Sequence, residues 1–345
     1  MSRKTKKEAH LHNLRCLWET VTYMIARGIA ASALDLIGNT PLVELKRITA
    51  NSGLDGRILA KVEYFNPGLS KKDRIALQMI EDAENAGSLK PGQTVIELTS
   101  GNTGTGLAIV CGMKGYPFVA VMSKGNTEER ARMMRAYGAE VVLVNQAPGA
   151  PPNQVSGESL ALVEKETQRL TGELKAFRAD QFSLEGNWRA HYLNTGREII
   201  EQTNGDLDAF CDFVGSGGSY AGVSMALREH SPNVKCFIIE PESAAVLAGR
   251  KITNPDHKIQ GGGYSMPDLK YLQGVKADGF IQVTNDETIE CTRRLGKEEA
   301  LFSGFSSGAN LAGAIQLLKG EMSGSTIVIL LSDSGLKYLS TDLWE

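Results

Sequence analysis

Two adjacent lysines, Lys71 and Lys72, lie in the segment 66–74, which reads NPGLSKKDR. The Pro-Gly pair predicts a turn after a strand, and Ser70 suits the N-cap position of a helix that begins near it. A lysine in the first helical turn lies at the positive end of the helix dipole, and nearby cations such as Arg74 also lower its pKa. An amine must lose its proton before it forms a Schiff base, so the segment suits that chemistry. A solvated basic helix start is the alternative and the commoner fate of such a run.

A second run, rich in hydroxyl groups and glycine, occupies residues 99–106 and reads TSGNTGTG. It follows the strand pattern of residues 95–97 and precedes a helical pattern. Small hydroxyl residues and glycines at such a position expose backbone N–H groups and side-chain donors, which suits a carboxylate or a phosphate. A tight strand-to-helix turn capped by Thr and Ser is the simpler explanation, but it needs fewer hydroxyl groups than this run contains.

A third run, residues 215–219, reads GSGGS and precedes a helical pattern through Leu227. Bare backbone, hydroxyl groups and a helix N-terminus together suit a phosphate. The run also half matches the dinucleotide fingerprint G-x-G-x-x-G, and Glu240 ends the next strand, where a ribose-binding acid would lie. Tyr220 occupies the sixth position of that fingerprint, so the sequence favours a phosphate alone over a dinucleotide.

A fourth motif, residues 332–335, reads SDSG and follows the strand pattern of residues 327–331. Polar residues at the carboxyl end of a parallel strand lie where open α/β sheets bind ligands, although such residues also form ordinary turns. The histidines do not have the spacing of metal ligands, and no Ser-His-Asp arrangement is found. We therefore predict no metal site.

The elements that must position these motifs alternate between strand and helix from Asp35 onward. Strand patterns occupy residues 57–63, 94–97, 117–122, 140–144, 210–214, 235–239, 279–283 and 326–331, and helix patterns occupy 73–86, 106–113 and 128–137. This alternation predicts mostly parallel sheets covered by helices. The segment 146–158, with three prolines and two glycines, interrupts the alternation of strand and helix patterns. We expect a surface loop there, followed by an inserted surface helix over residues 160–173.

Length, composition and net charge limit the classes of protein to which the chain can belong. A chain of 345 residues is long enough for two α/β lobes with separate cores. A hydrophobic content of 42% and a charged content of 22% are ordinary for a globular protein, and a net charge of -3 gives no reason to expect nucleic acid as a partner. No stretch is long and apolar enough to span a membrane, so no membrane partner is expected.

The five cysteines are odd in number and never have C-x-x-C spacing, which favours a reducing compartment over disulfides or a zinc site. Cys111, Cys211 and Cys236 lie in apolar runs and are expected in the core. Residues 1–33 are expected to form an N-terminal helical arm that packs on a partner subunit or on the body. A mitochondrial transit peptide is the alternative, but Glu8 and Glu19 argue against it, and a cytoplasmic location is expected.

Taken in order, the motifs resemble those of the cysteine synthase / cystathionine β-synthase family of fold type II pyridoxal-phosphate enzymes. The resemblance extends from about residue 34 to the end of the chain. Besides the runs above, it includes residues 35–42 (DLIGNTPL), 134–140 (MRAYGAE), 257–261 (HKIQG), 306–309 (SSGA) and 334–341 (SGLKYLST). Each motif alone is weak, but together and in register they are specific.

The resemblance implies an α/β fold like that of the tryptophan synthase β subunit, with mostly parallel twisted sheets flanked by helices. It implies a small α/β domain at 75–185 and a large cofactor domain formed by 34–74 and 186–345, with the cofactor in the cleft between them. It also implies a homodimer that takes a small amino-acid substrate and a small nucleophile.

The same resemblance assigns roles to individual residues. Lys72 would hold pyridoxal 5'-phosphate as a Schiff base and move the α-proton of the substrate. Asn102 would bind the ring hydroxyl of the cofactor, and Ser334 would bind its pyridine nitrogen. The phosphate would be held by Gly215, Ser216, Gly217, Gly218 and Ser219. The substrate carboxylate would be held by Thr99, Ser100, Thr103 and Gln181.

The implied reaction is a β-replacement on an O-activated L-serine. O-acetyl-L-serine would lose acetate, and sulfide would add to give L-cysteine, a transferase or lyase reaction of cysteine biosynthesis. The chain departs from the family pattern at Lys71, where an apolar residue is usual, and at Leu98 and Ser332, which replace common prolines. The segments 183–187 and 262–265 also differ from the usual motifs.

These departures leave the donor and the nucleophile open. Cystathionine, cyanoalanine or diamino-acid synthesis and serine dehydration are alternatives within the same chemistry. A catalytically idle relative that acts as a binding or regulatory protein is another, and the intact Lys72 counts against it. A dinucleotide-dependent oxidoreductase is a third, disfavoured by Tyr220.

Overall fold

The computed structural model describes residues 29–149 and 157–345 of the chain. The predictions for most of the N-terminal arm, including the transit-peptide alternative, and for the middle of the loop 146–158 lie outside the described residues. In the described part, Cys111, Cys211, Cys236 and Cys291 are buried free thiols, which confirms the prediction that the first three are core residues.

The strands of the described residues form two sheets. In chain order they are β1 (Leu42–Glu44), β2 (Arg57–Val62), β3 (Val95–Leu98), β4 (Phe118–Ser123), β5 (Glu140–Val144), β6 (Phe177–Arg178), β7 (Ala209–Phe213), β8 (Lys235–Pro241), β9 (Gly279–Val283) and β10 (Thr326–Leu331). The six-stranded sheet has the order β1-β2-β10-β7-β8-β9, and the four-stranded sheet has the order β5-β4-β3-β6. All neighbouring pairs are parallel except β1 and β2, so the prediction of mostly parallel sheets is confirmed.

Helices flank both sheets. In chain order they are α1 (Lys46–Asn51), α2 (Lys72–Asn85), α3 (Asn102–Lys114), α4 (Glu128–Ala136), α5 (Gly157–Leu174), α6 (Gly186–Ala190), α7 (Gly196–Thr203), α8 (Gly218–His230), α9 (Asn285–Glu299) and α10 (Phe305–Lys319). A π-helical turn, His191–Thr195, joins α6 to α7. No helix of the described residues is long and apolar enough to cross a membrane.

The central strands of the large sheet are buried on both faces. Along β10, Ile327 and Ile329 pack into one buried cluster, whereas Val328 and Leu330 pack into another on the opposite face. Successive side chains of a strand point to opposite faces, so a strand covered on both sides is apolar throughout. This explains why the sequence of β10 is a continuous apolar run.

Helix α5 is part of the small sheet's core. Val163 on this helix is buried together with Ile96 and Val121 of the four-stranded sheet. The helix connects β5 to β6 and covers one face of that sheet. The helix is therefore the regular connection between these two strands and not an insertion, whereas its mostly exposed side chains agree with the prediction of a surface helix.

The positions of the other elements follow the sequence closely. The strands Glu140–Val144, Gly279–Val283 and Thr326–Leu331 have the predicted bounds. The short strands Leu42–Glu44 and Phe177–Arg178 had no counterpart among the predicted strands. Two or three residues are too few to show the alternation of apolar and polar side chains that predicts a strand. Such strands are defined only by the partner strand with which they pair.

Candidate active site

One cleft brings together loops from both sheets. Its walls include residues that follow β3 and β6 of the small sheet and β7 and β10 of the large sheet, all at the carboxyl ends of parallel strands. The sequence-predicted residues that line it are Lys72, Ser100, Asn102, Thr103, Gln181, Gly215, Ser216 and Ser219. Residues as far apart in sequence as Lys72 and Ser332 therefore meet at one place, as open α/β folds require for a ligand site.

Lys72 begins helix α2, and its backbone N–H donates to Ser70 Oγ at 3.3 Å. The N-cap residue is Lys71, whose side chain makes no capping hydrogen bond, so the prediction of Ser70 as the N-cap was wrong by one position. The Lys72 side chain is partly exposed to the cleft. Burial of its amine, reinforced by the positive charge of Lys71, lowers the pKa of Lys72 to about 7, while Asp212 acts in the opposite direction. A large fraction of this amine is neutral near neutral pH, which suits a nucleophile. Desolvation is the largest cause and was not part of the sequence argument.

The loop that follows β3 is shaped by Thr99. Its hydroxyl accepts hydrogen bonds from the backbone N–H groups of Gly101 at 3.0 Å and Gly104 at 2.9 Å. Gly101 has a φ of 132°, and a Cβ there would lie 2.5 Å from Arg130 Cδ, so only glycine fits. Thr99 is not among the residues that line the cleft, whereas Ser100, Asn102 and Thr103 are.

Asn102, at the first position of α3, is held on both sides of its amide. Its Nδ2 donates to Asp333 Oδ2 at 2.7 Å, and its Oδ1 accepts from Lys337 Nζ at 2.7 Å. The hydroxyl of Tyr338 also donates to Asp333 Oδ2, at 2.6 Å. These contacts fix the orientation of the Asn102 amide at the edge of the cleft.

Gln181 and the glycine loop are joined by a buried asparagine. Asn187 Nδ2 donates to the backbone oxygen of Gln181 at 2.5 Å and to Ser216 Oγ at 2.9 Å. The side chain of Gln181 accepts a hydrogen bond from the Thr103 hydroxyl at 2.7 Å. Thr103, Gln181 and Ser216 are thus linked through Asn187, a residue that the sequence analysis did not single out.

The glycine loop 215–219 connects β7 to the N-terminus of α8. Gly217 has a φ of 87°, a conformation that side chains disfavour. At Gly218 a Cβ would lie 2.1 Å from Asn187 Oδ1, so the backbone approaches the asparagine too closely for any side chain. Gly217 and Gly218 shape the loop, while Gly215, Ser216 and Ser219 line the cleft.

Ser334 is not among the residues that line the cleft. Its hydroxyl accepts a hydrogen bond from the backbone N–H of Leu336 at 3.3 Å and caps a short 3-10 turn, Gly335–Tyr338. Two other serines, Ser306 at the start of α10 and Ser332 after β10, line the cleft instead. Ser332 Oγ is buried and has no hydrogen-bond partner among the described residues.

The sequence analysis missed several other residues of the cleft. Besides the two serines, they are Lys71, Phe213, Gln260, Gly261 and Tyr264. The motifs 257–261 and 306–309 had been noted as part of the resemblance, but no role was attached to them. Ser100, Gln260 and Tyr264 also line an adjoining cavity of about 400 Å³, whose lining includes Arg130 of α4 and Asp342 near the C-terminus.

The residues present fit pyridoxal phosphate. The cleft contains an amine of lowered pKa, a glycine loop at the N-terminus of a 13-residue helix, and an unpartnered serine hydroxyl. An amine for the aldehyde, a cradle for the phosphate and polar groups for the ring are what this cofactor requires. In the described residues, no group of three or more His, Cys, Asp or Glu side chains is placed to hold a metal ion.

The fold and the cleft define an α/β enzyme of the pyridoxal-phosphate type. The family described as "Pyridoxal-phosphate dependent enzyme" matches residues 33–333, and this chain belongs to it. Pyridoxal phosphate is therefore its cofactor.

Comparison with characterised relatives places the chain in the cysteine synthase type within that family. The chain is 42% identical over 312 residues to a cysteine synthase of Staphylococcus aureus, which covers 90% of this chain and 96% of the relative. The structure of a hydrogen sulfide-producing enzyme from Fusobacterium nucleatum is similar, with a TM-score of 0.82, 38% identity, and coverage of 90% of this chain and 100% of that one. The O-acetylserine sulfhydrylase isoform 3 of Entamoeba histolytica matches with a TM-score of 0.83, 35% identity, and coverage of 92% of each chain.

Proposed function

We propose that this chain catalyses β-replacement on O-acetyl-L-serine, with sulfide as the nucleophile and L-cysteine as the product. The observation that carries the proposal is the position of Lys72. An amine with a pKa lowered to about 7 lies in one cleft with the loop 99–106 and the glycine loop. Similarity to the cysteine synthase of S. aureus and to the O-acetylserine sulfhydrylase of E. histolytica supports the choice of donor and nucleophile.

The bound cofactor supplies an electron sink that allows the α-proton to leave and the β-substituent to depart. In our proposal Lys72 holds the cofactor and moves the α-proton at its Nζ. Ser100, Thr103 and Gln181 hold the substrate carboxylate, and the Thr103–Gln181 hydrogen bond keeps these two groups together. Thr99 acts through the loop, because its hydroxyl is already engaged with two backbone N–H groups.

We propose that the loop 215–219 holds the phosphate and that Asn102 binds the ring hydroxyl. For the pyridine nitrogen we propose Ser306 in place of Ser334. Ser306 lines the cleft, whereas Ser334 does not and caps a turn. A serine hydroxyl cannot hold a proton on the ring nitrogen as a carboxylate would, so the ring remains a weaker sink that favours loss of the β-substituent over side reactions.

We propose that residues 75–185 form a small domain that closes over the cleft of the large domain, formed by 34–74 and 186–345. The separate sheets support this division. Closure would bring the loop 99–106 onto the substrate carboxylate and exclude water. We also propose that the protein is a cytoplasmic homodimer. The buried free thiols of the described residues fit a reducing compartment, and the mitochondrial alternative has no support in the comparisons.

The absorption spectrum of the purified protein tests the proposal. With O-acetyl-L-serine present, we expect the cofactor band to be replaced by a new band and the original band to return when sulfide is added, with L-cysteine released. Lys72→Ala should abolish the covalent cofactor attachment detected by borohydride reduction, and Lys71→Ala should retain it. A protein that carries the cofactor but shows no spectral response to O-acetyl-L-serine would contradict the proposed donor.

Release of sulfide from L-cysteine is a second candidate activity. The similarity to the hydrogen sulfide-producing enzyme of F. nucleatum favours it, and both reactions need the same amine and the same carboxylate site. A panel of donors and nucleophiles, read as steady-state rates, would separate the two. Cysteine formation with a higher kcat/KM than sulfide release supports the proposed function, and the reverse order supports the second candidate.

A further inference from the structure

Lys71 is a buried cation that the proposed reaction does not use. Its side chain lines the cleft, although the residue is only 8% exposed. Its Nζ lies 3.2 Å from Asp212 Oδ1 and 3.3 Å from Asp212 Oδ2, and it donates to Ser219 Oγ at 2.9 Å. Lys71 therefore contacts the last residue of the glycine loop.

Asp212 is the penultimate residue of strand β7, just before the glycine loop, and is completely buried. Its carboxylate accepts hydrogen bonds from Ser219 Oγ at 2.5 Å and from Asn310 Nδ2 at 3.3 Å, in addition to the contact with Lys71. A bare carboxylate at this place would repel a phosphate bound in the loop. Lys71 compensates that charge, because its ammonium group forms an ion pair of 3.2 Å with the Asp212 carboxylate.

Ser219 and Lys71 differ in the number of protons that they can donate to a ligand. A serine hydroxyl has one proton, and that of Ser219 is donated to Asp212. An ammonium group has three, and the two longer contacts with the Asp212 oxygens, at 3.2 and 3.3 Å, can be made by one shared N–H. With a second N–H donated to Ser219, the third can then be donated to a phosphate by a side chain that also carries a positive charge.

We propose that Lys71 is a phosphate-binding residue of the cofactor site, and that Asp212 holds its ammonium group beside the glycine loop. The inference rests on the proposed function, since it takes the loop 215–219 as the phosphate cradle. Phosphate binding then combines the backbone of a helix N-terminus with one charged side chain, and such charge-assisted bonds are stronger than neutral ones.

A purely structural role is the competing explanation. In that case Lys71 only neutralises Asp212 and never contacts the phosphate. The two explanations differ in one measurable property. A phosphate contact changes the affinity for pyridoxal phosphate but not for pyridoxal, which lacks the phosphate, and the loss persists when the Asp212 charge is removed as well. In a purely structural role, a selective loss comes from the uncompensated Asp212 carboxylate and disappears when that charge is removed too. Any change in the pKa of Lys72 also affects both ligands alike, because both carry the same aldehyde.

The test measures the dissociation constants of pyridoxal phosphate and pyridoxal for the full-length apo protein and its variants, by absorbance titration. For Lys71→Met we expect affinity for pyridoxal phosphate to fall by roughly 10- to 100-fold, as for loss of a charged hydrogen bond, and affinity for pyridoxal to change by less than about 3-fold. Lys71→Arg, which keeps the charge, should retain most of the preference for the phosphorylated ligand.

The double variant Lys71→Met/Asp212→Asn removes both buried charges together and keeps the test valid if Lys71→Met does not fold. We expect its preference for pyridoxal phosphate to stay low. Recovery of the wild-type preference in the double variant, or equal losses for both ligands in Lys71→Met, would overturn the inference. A wild-type protein that binds both ligands equally would instead contradict the phosphate cradle and, with it, the proposed cofactor site.

Discussion

Asn102 Nδ2 donates a hydrogen bond of 2.7 Å to Asp333 Oδ2, which joins the first residue of α3 to the turn after β10. The two residues are 231 positions apart in the chain and belong to loops of different sheets. Tyr338 shares the same carboxylate oxygen, and Lys337 holds the other end of the Asn102 amide. This arrangement sets the orientation of a side chain to which we assign a contact with the cofactor.

Substitution of Asp333 tests how much this junction stabilises the fold. Asp333→Ala leaves the Asn102 amide and the Tyr338 hydroxyl without their acceptor in a buried place. We expect the free energy of unfolding of the apo protein to fall by about 1–3 kcal/mol. Asp333→Asn keeps an acceptor oxygen and should cost less. Denaturant unfolding measures both, and an unchanged midpoint for Asp333→Ala would show that the junction contributes nothing.

The lowered pKa of Lys72 predicts how cofactor attachment depends on pH. With a pKa of about 7 instead of 10.5, the neutral amine predominates above pH 7. The rate at which the apo protein takes up pyridoxal phosphate should rise about tenfold per pH unit below that value and level off above it. Stopped-flow absorbance measures this rate, and a rate that still climbs at pH 10 would contradict the lowered pKa.

Lys71→Met provides the matched comparison for that profile. It removes a cation that lowers the pKa of Lys72 and leaves Asp212, which raises that pKa. The pH above which the rate becomes constant should therefore be higher in this variant.

The lowered pKa of Lys72 also affects the stability of the apo protein. Between about pH 7 and pH 10.5 the unfolded chain binds more protons at Lys72 than the folded chain does, so the contribution of Lys72 to stability increases with pH.

Gly218→Ala tests the close approach of the glycine loop to Asn187. The new Cβ would lie 2.1 Å from Asn187 Oδ1, so the asparagine must move and release Ser216 and Gln181. We expect affinity for pyridoxal phosphate to fall at least tenfold, since roughly 1.4 kcal/mol or more of binding energy is lost with this geometry. Gly172→Ala on helix α5, where a Cβ meets nothing within 4 Å, is the control and should leave the affinity unchanged. Equal affinity in the two variants would show that the loop tolerates a side chain.

The choice between Ser306 and Ser334 is tested by their alanine variants. If Ser306 contacts the ring, Ser306→Ala should shift the absorption maximum of the bound cofactor and lower kcat by about 10-fold or more, which corresponds to a barrier about 1.4 kcal/mol higher. Ser334→Ala should only weaken the turn that begins at Gly335, because its hydroxyl caps that turn. A spectral shift in Ser334→Ala with none in Ser306→Ala would return the assignment to Ser334.

The sequence by itself determined the class of fold and the order of the main strands, and it located the segment that contains the lysine we propose as reactive. Strands such as Glu140–Val144 and Thr326–Leu331 could be located because a buried parallel strand must be a short apolar run, which is a local property. The loops 99–106 and 215–219 could be located because glycines and hydroxyl groups between a strand and a helix have few other uses. Lys72 could be chosen over Lys71 only through the resemblance to a known family.

Only the tertiary structure decided which side chains of these motifs enter the cleft. Ser306 and Ser332 line it and Ser334 does not, although all three serines lie in polar motifs of the same kind. The reason is that the direction of a side chain depends on how distant segments pack around it, which no local pattern encodes. The contact of Lys71 with Asp212, 141 positions away, has the same origin. Lys71 alone resembles an ordinary surface charge, and Asp212 alone is one polar residue in an apolar strand pattern. Only the packing of the start of α2 beside β7 makes them a buried pair next to the glycine loop.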